Sequence, residues 1–155
     1  MEMLTVAINP RMSSYLVLTD VAVLLLSQPI TGERLAAQQL GALGGLAQSS
    51  VDRQQDVRVA ALPRLSLQSI NDITQCAAAQ VPREFSNHPQ WPRVGGSVSI
   101  SIYPKAVFES ISVSLLWGVR ARVRGQKVRG SFAAIPFWKN RSVRAFLARA
   151  GYPPE

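Results

Sequence analysis

The clearest alternation of apolar and polar residues lies in the second half of the chain. From Val98 to Ile102, branched aliphatic residues alternate with serines, a pattern that is typical of a half-buried strand. The alternation resumes after residue 106 and continues to residue 124, with apolar residues on one face and serines followed by arginines on the other. Because a strand of that length would exceed the usual limit of about 10 residues, the pattern predicts a bend or bulge near Gly118.

A hairpin is predicted to follow this strand, with its two-residue turn at 125–126. In the register that this turn sets, Arg124 lies opposite Lys127, and Arg122 lies opposite Arg129. Like charges at opposite positions repel each other, and a bound polyanion would convert this repulsion into attraction. Screening of an exposed charged face by water and salt is the competing interpretation of the same pattern.

Helices are predicted on both sides of these strands. A serine followed three residues later by an aspartate resembles a capping pair and predicts a helix over 69–80. Near the end of the chain, apolar residues recur at helical spacing between Val143 and Ala150, and Gly151 provides a stop signal. The second half is therefore predicted to be a C-terminal three-stranded antiparallel meander flanked by helices.

The first half shows weaker patterns. Alternation over Leu4–Ile8 predicts a short strand, and the apolar run over 15–26 is either a buried strand pair that breaks near Asp20 or a buried helix. Thr31 is predicted to cap a further helix, and a short strand is predicted over 57–61. The N-terminal half is thus expected to mix helix and short strands, and the fold class of the whole chain is expected to be α+β.

Length and composition favour one folded domain over 1–155, since 47% of the residues are hydrophobic and 17% are charged. The proline-rich segment 81–96 is predicted to be a loop and to hold any internal boundary, which would set apart a basic sheet–helix module at 97–151. The apolar stretches do not predict a membrane span, and the first residues lack the basic region of a secretory signal. A cytoplasmic or virion-associated location is therefore expected.

Surplus positive charge is confined to the part of the chain after residue 119. Up to that residue, eight Lys or Arg residues balance eight Asp or Glu residues, whereas the remainder has nine cations and only Glu155 as an anion. The formal net charge of +8 therefore comes entirely from this C-terminal part. Such a concentration of charge favours an anionic partner on one surface.

Two sets of residues are predicted to form a site for a polyanion. The predicted cationic contacts are Arg120, Arg122, Arg124, Lys127, Arg129, Lys139, Arg141 and Arg144. The aromatic residues that are candidates for stacking on bases are Trp117, Phe137 and Trp138. Packing in the core or at its rim is the competing interpretation for these aromatics, because rings beside an apolar alternation usually pack.

Residues that are typical of catalysis are scarce. His88 is the only histidine and Cys76 the only cysteine, so a metal site built from several such ligands is excluded, and no nucleotide-binding or hydrolase motif is present. A Cys76–His88 dyad is the remaining catalytic alternative, although a cysteine within a helix is usually a small buried residue. Glu109 interrupts the apolar face and is expected to pair with Lys105. We therefore expect no enzymatic activity, no cofactor and no metal.

Together these patterns predict a non-enzymatic structural or assembly subunit whose basic C-terminal hairpin–helix surface docks on nucleic acid within a larger particle. The first alternative is a scaffold component of a virion or other large complex, held by protein contacts with an acidic neighbour. The second is a free nucleic-acid-binding regulator. The serine-faced strand Val98–Ile102 is also expected to pair at its edge with another subunit of the assembly.

Overall fold

The computed structural model of the chain describes residues 1–29, 62–114, 118–127 and 133–154. A five-stranded antiparallel sheet has the spatial order β1-β2-β3-β5-β4, and its strands are β1 (Met3–Asn9), β2 (Ser14–Thr19), β3 (Ala22–Pro29), β4 (Thr74–Ala77) and β5 (Val98–Pro104). A second antiparallel sheet has the order β6-β7-β8, and its strands are β6 (Phe108–Ser114), β7 (Gly118–Val123) and β8 (Gln126–Lys127). The α-helices among the described residues are the single turn α1 (Arg83–Ser86) and the ten-residue α2 (Asn140–Arg149).

The first 29 residues form an antiparallel meander. The strand predicted over Leu4–Ile8 is confirmed as β1, and the apolar run over 15–26 is the strand pair β2–β3 rather than a helix. Thr19 closes the tight turn between β2 and β3, because its hydroxyl oxygen accepts hydrogen bonds from the backbone N–H groups of Val21 (3.2 Å) and Ala22 (2.9 Å). The polar residues within the run therefore form the turn that separates the two strands.

Both faces of the five-stranded sheet are buried, which explains why the apolar run has no regular alternation. On one face, Leu16 and Leu18 belong to a core shared with the second sheet and α2. On the other face, Val17 and Ile102 belong to a core that includes Phe85 of α1. Successive residues of β2 therefore enter two different cores.

The predicted helix over 69–80 is wrong. Within this segment Thr74–Ala77 forms β4, and only short 3-10 turns lie on either side, at Leu67–Ser69 and Ala78–Gln80. β4 gains a ladder of backbone hydrogen bonds along β5, and this tertiary pairing overrides the local helical spacing. Asp72 of the predicted capping pair accepts a hydrogen bond from the adjacent Ile73 N–H (2.6 Å) and does not cap a helix.

The predicted α+β class, with a C-terminal meander flanked by helices, is also wrong. The described part of the chain is mostly antiparallel sheet, and α2 is its only helix longer than a single turn. Val98–Ile102 does lie in a strand, but this strand is β5, which pairs with β3 on one side and β4 on the other. Because both of its edges are occupied, β5 is not the exposed edge that was expected to pair with another subunit.

At Gly118 the chain does not bend within one strand, because β6 and β7 are antiparallel partners with Ser114 opposite Gly118. Gly118 has a positive φ of 76°, and a Cβ atom at this position would lie 2.3 Å from the carbonyl oxygen of Ala133. Only glycine fits such a backbone approach. The approach lets Val119 and Ala133 exchange two backbone hydrogen bonds, of 2.8 and 3.3 Å.

Several predictions concern residues that the structure does not describe. The helix predicted from Thr31 and the strand predicted over 57–61 both lie outside the described residues. The proposed boundary in segment 81–96 remains a prediction, although Phe85 of that segment is completely buried against the five-stranded sheet. In the four ranges given above, no helix is both long and apolar enough to cross a membrane.

Candidate functional site

The β7–β8 hairpin has its turn one residue earlier than predicted. Arg124 and Gly125 form the turn with positive φ values of 52° and 77°, as a type I′ turn requires. Arg122 consequently lies opposite Lys127, so neither of the two predicted pairs of like charges forms. The other predicted partner, Arg129, lies outside the described residues.

Two arginines of the hairpin are already paired with carboxylates of the same chain. Arg124 forms an ion pair with Asp72, and Nε of Arg122 lies 3.7 Å from Oε2 of Glu109. The hydrogen bond from Arg124, with a second from the Ile73 N–H, holds the pKa of Asp72 below its usual value. Because both ion pairs are exposed to solvent, a phosphate group can compete with the carboxylates for either arginine.

Glu109 was predicted to pair with Lys105, but it pairs with Arg122. A β-bulge explains the difference. The register between β6 and β7 shifts at Glu109, which makes this exposed glutamate the extra residue of the bulge. Lys105 instead donates from Nζ to the carbonyl oxygen of Ala150 (2.5 Å). Because of the bulge, the Glu109 side chain is exposed and does not lie on the apolar face of β6.

Arg120 lies on the part of β7 that pairs with β6, the strand next to α2. It lies opposite Ser112 of β6, and its half-buried side chain has an Nε atom without a hydrogen-bond partner among the described residues. Ser112 also lines a groove of about 670 Å³ between β6 and α2, and Arg144 lines the same groove. The cross-strand partner of Arg120 is therefore part of a groove that Arg144 also lines.

The position of α2 is fixed by its apolar face and by the edge of β6. Val143, Phe146 and Leu147 are buried in the core that lies between the two sheets. Nη2 of Arg144 donates to the carbonyl oxygen of Val113 in β6 (3.4 Å). This attachment leaves the opposite, polar face of α2 in solvent, as the periodicity of the apolar residues predicted.

The residues after α2 hold its C-terminal end in place. The backbone N–H of Ile111 donates to the carbonyl oxygen of Pro153 (2.8 Å), so the tail follows the outer edge of β6. The buried Tyr152 hydroxyl donates to the carbonyl oxygen of Thr19 (2.7 Å), and burial raises the pKa of this hydroxyl, which keeps it protonated. The helix is therefore attached to both sheets.

Two aromatic side chains are unusually exposed just before α2. Phe137 and Trp138 lie in the 3-10 turn Phe137–Lys139 and are 74% and 68% exposed, whereas the other exposed large apolar residues of the described chain reach only 38–45%. Their ring centroids are 5.2 Å apart, and the ring planes are inclined by 82°. A role in core packing is therefore excluded for these two rings.

These rings and two arginines of α2 line one concavity of about 500 Å³, which we call the aromatic–basic groove. Its lining residues are Phe137, Trp138, Asn140, Arg141, Arg144, Ala145 and Ala148. In the part of the chain that the structure describes, no carboxylate forms an ion pair with Lys139, Arg141 or Arg144. By contrast, Nε of Arg149 at the other end of α2 lies 3.2 Å from Oε2 of Glu2.

The predicted site residues thus fall into two groups. The hairpin group is Arg120, Arg122, Arg124 and Lys127, and the α2 group is Phe137, Trp138, Lys139, Arg141 and Arg144. Trp117 and Arg129 lie outside the described residues. Among the described residues, no cation of the α2 group is paired with a carboxylate, whereas two of the hairpin arginines are paired with acids that were not predicted as their partners.

Cys76 and His88, the two residues of the alternative catalytic dyad, each lie in an environment that suits a structural role. Cys76 lies in β4 rather than in the predicted helix, and burial raises the pKa of its thiol to about 11, so it is not a thiolate at neutral pH. Nδ1 of His88 accepts the backbone N–H of Gln90 (3.1 Å), and Nε2 lies 3.0 Å from the carbonyl oxygen of Met1. Among the described residues, no cluster of three or more His, Cys, Asp or Glu side chains is arranged to hold a metal ion.

Comparison of the chain with protein-family models, with curated proteins and with solved structures gives no match.

If Arg124 contacts a polyanion as the sequence predicts, replacing Asp72 by asparagine should strengthen binding, because the substitution releases Arg124 from its carboxylate partner. The affinity for a DNA oligonucleotide at low salt should rise about two- to fivefold. Glu84→Gln is the matched control, since it removes one negative charge at an exposed residue of α1. Equal gains in the two variants, measured by fluorescence anisotropy, would show that only net charge matters and that Arg124 is not a contact.

Proposed function

We propose that this chain is a non-enzymatic structural or assembly subunit that docks on nucleic acid within a larger particle. The docking surface consists of the aromatic–basic groove and the neighbouring β7–β8 hairpin. The observation that carries the proposal is the coincidence, in one concavity, of two exposed aromatic rings with two arginines that lack an acidic partner among the described residues. A polyanion satisfies such cations, and planar bases cover such rings.

The geometry of α2 supports a fixed rather than an adaptable contact. Arg141 and Arg144 are separated by one helical turn, and the helix that holds them is buried along its other face. Guanidinium groups bind phosphate oxygens through two parallel N–H donors, which adds orientation to the electrostatic attraction. Because these contacts address the backbone of the nucleic acid, they supply affinity without reading its sequence.

The hairpin adds a second cationic area. Arg122 and Lys127 lie opposite each other, and Arg120 follows on the same face of β7. Opposed like charges weaken a hairpin by repulsion, and the phosphates of a bound strand relieve that repulsion. Glu109 and Asp72 reduce the free charge of this area, so we assign the larger share of binding to α2.

A scaffold subunit held by an acidic protein neighbour is the second candidate function. It is favoured by the same exposed residues, because tryptophan and arginine are enriched among the residues that dominate protein–protein interfaces. In this alternative Trp138 and Arg144 would contact carboxylates and apolar side chains of the neighbour. The two functions differ in their response to salt when nucleic acid is the ligand.

Salt titration of nucleic-acid binding tests the proposal. If Lys139, Arg141 and Arg144 each neutralise one phosphate, a plot of log affinity against log salt should have a slope of about −2 for single strands and about −2.7 for duplex DNA. If cations of the hairpin also bind phosphates, the slope should be steeper, because more phosphates are neutralised. Absence of binding at low salt, or binding that does not depend on salt, would contradict a nucleic-acid function and favour the protein scaffold.

A further inference from the structure

We propose that the aromatic–basic groove selects single-stranded over double-stranded nucleic acid, because Phe137 and Trp138 stack on unpaired bases. This inference rests on the proposed function and adds the form of nucleic acid that the groove takes. It follows from the exposure of the two rings, from the angle between them and from the cations beside them.

The exposed rings point to a ligand with flat apolar faces. Phe137 and Trp138 have far more exposed surface than the other exposed large apolar side chains of the described chain, and Trp138 is followed directly by Lys139. A ligand that covered only the cations would leave this aromatic surface in water. Unpaired bases cover it, since every base offers a π face to an aromatic ring.

The angle between the rings distinguishes a single strand from a duplex. Phe137 and Trp138 are inclined by 82° to each other, so their open faces point in different directions. In a duplex the bases are parallel and stacked on each other, and two perpendicular rings cannot both contact base faces without disrupting the stack. A single strand has rotatable bonds between its bases and can present two of them to rings of different orientation.

The cations are placed to hold the backbone of the same strand. Arg141 and Arg144 share one side of α2, at the spacing of one helical turn, and both line the groove with the two rings. A strand whose bases contact the rings therefore brings its phosphates to the guanidinium groups. This combination of stacking rings and a cationic path is how proteins bind single strands without sequence preference.

An anionic membrane surface is a different partner that aromatic and basic residues can also contact. We favour nucleic acid because Arg141 and Arg144 line the same concavity as the rings, so the aromatic surface is not set apart from the charged surface. Insertion into a bilayer requires an apolar face that projects beyond the charged residues. A concavity with cations along its wall instead fits a narrow ligand that carries bases and phosphates together.

The proposal is tested with the full chain and two oligonucleotides of equal length and sequence, one single-stranded and one as a duplex. Wild-type protein should bind the single strand about tenfold or more tightly at the same salt concentration. Trp138→Ala should weaken single-strand binding by a factor of about 5 to 100, and Trp138→Phe should restore most of the loss. Met12→Ala, a truncation of another exposed apolar side chain, should change nothing.

Inorganic polyphosphate, which has no bases, separates stacking from charge. Its affinity should be the same for wild type and Trp138→Ala. If both oligonucleotides bind equally and Trp138→Ala has no effect, the single-strand proposal is overturned while the proposed docking on nucleic acid stands. If neither oligonucleotide binds, the single-strand proposal and the proposed docking on nucleic acid are both overturned. Binding to phosphatidylserine vesicles that depends on Trp138, without binding to oligonucleotides, would also overturn both and identify a membrane surface as the partner.

Discussion

Replacing Gly118 by alanine is expected to destabilise the protein by about 2 to 4 kcal/mol. The positive φ of this residue is unfavourable for alanine, and the added Cβ would meet three backbone atoms, the nearest of which is the Ala133 oxygen at 2.3 Å. Backbone atoms cannot move aside as a flexible side chain can. The substitution therefore has to separate β7 from residues 133–135.

Gly95→Ala is the matched control for this prediction. A Cβ atom at Gly95 has no heavy atom within 4 Å, and the backbone there does not have a positive φ. Its free energy of unfolding should stay within about 0.5 kcal/mol of the wild-type value. Both variants are measured by chemical denaturation, and a loss at Gly118 no larger than that at Gly95 would mean that the close approach to Ala133 does not exist in solution.

Reversing the charge of Arg141 and Arg144 to glutamate is expected to weaken nucleic-acid binding roughly 100-fold or more at low salt. Both residues line the aromatic–basic groove and lack an acidic partner among the described residues, so reversal replaces two attractions with two repulsions. The variant loses the hydrogen bond from Arg144 to Val113, but the helix should persist because Val143, Phe146 and Leu147 keep it packed in the core. Glu is also as good a helix former as Arg and is favourable near a helix N-terminus.

The control for this pair is the double variant Arg11→Glu and Arg93→Glu. Both arginines are exposed, neither lines the groove, and the change in net charge is the same. Its affinity for nucleic acid should fall less, because this variant changes only the long-range attraction that comes from net charge. If the control loses as much affinity as the Arg141 and Arg144 variant, binding follows overall charge and the groove has no special role.

The parts of the fold that could be predicted from the sequence are those decided by local pattern. β1, β5 and α2 alternate or recur regularly because the main apolar residues of each lie on one face, and the α2 cations are exposed because they lie opposite Val143, Phe146 and Leu147. The site on α2 follows from the same periodicity. Phe137, Trp138, Arg141 and Arg144 line one groove, and their role in binding a polyanion stays a prediction.

The errors arise where a distant segment decides the structure. Thr74–Ala77 is a strand because β5 is available beside it, which no local pattern indicates. The turn of the hairpin begins at Arg124 rather than Gly125, and Arg124 is held by Asp72 from a distant loop. A one-residue bulge at Glu109 changes which residues of β6 face the solvent. The partners of the hairpin arginines depend on these contacts and so could not be predicted.

The most direct measurement is chemical-shift mapping by NMR of the full chain during titration with a single-stranded oligonucleotide. The central claim predicts that the largest changes occur at the Trp138 indole N–H and at the backbone amides from Phe137 to Arg144, with smaller changes at Arg120 and Arg122. Changes confined to the hairpin, or located at neither group of residues, would contradict the assignment of the aromatic–basic groove as the docking site.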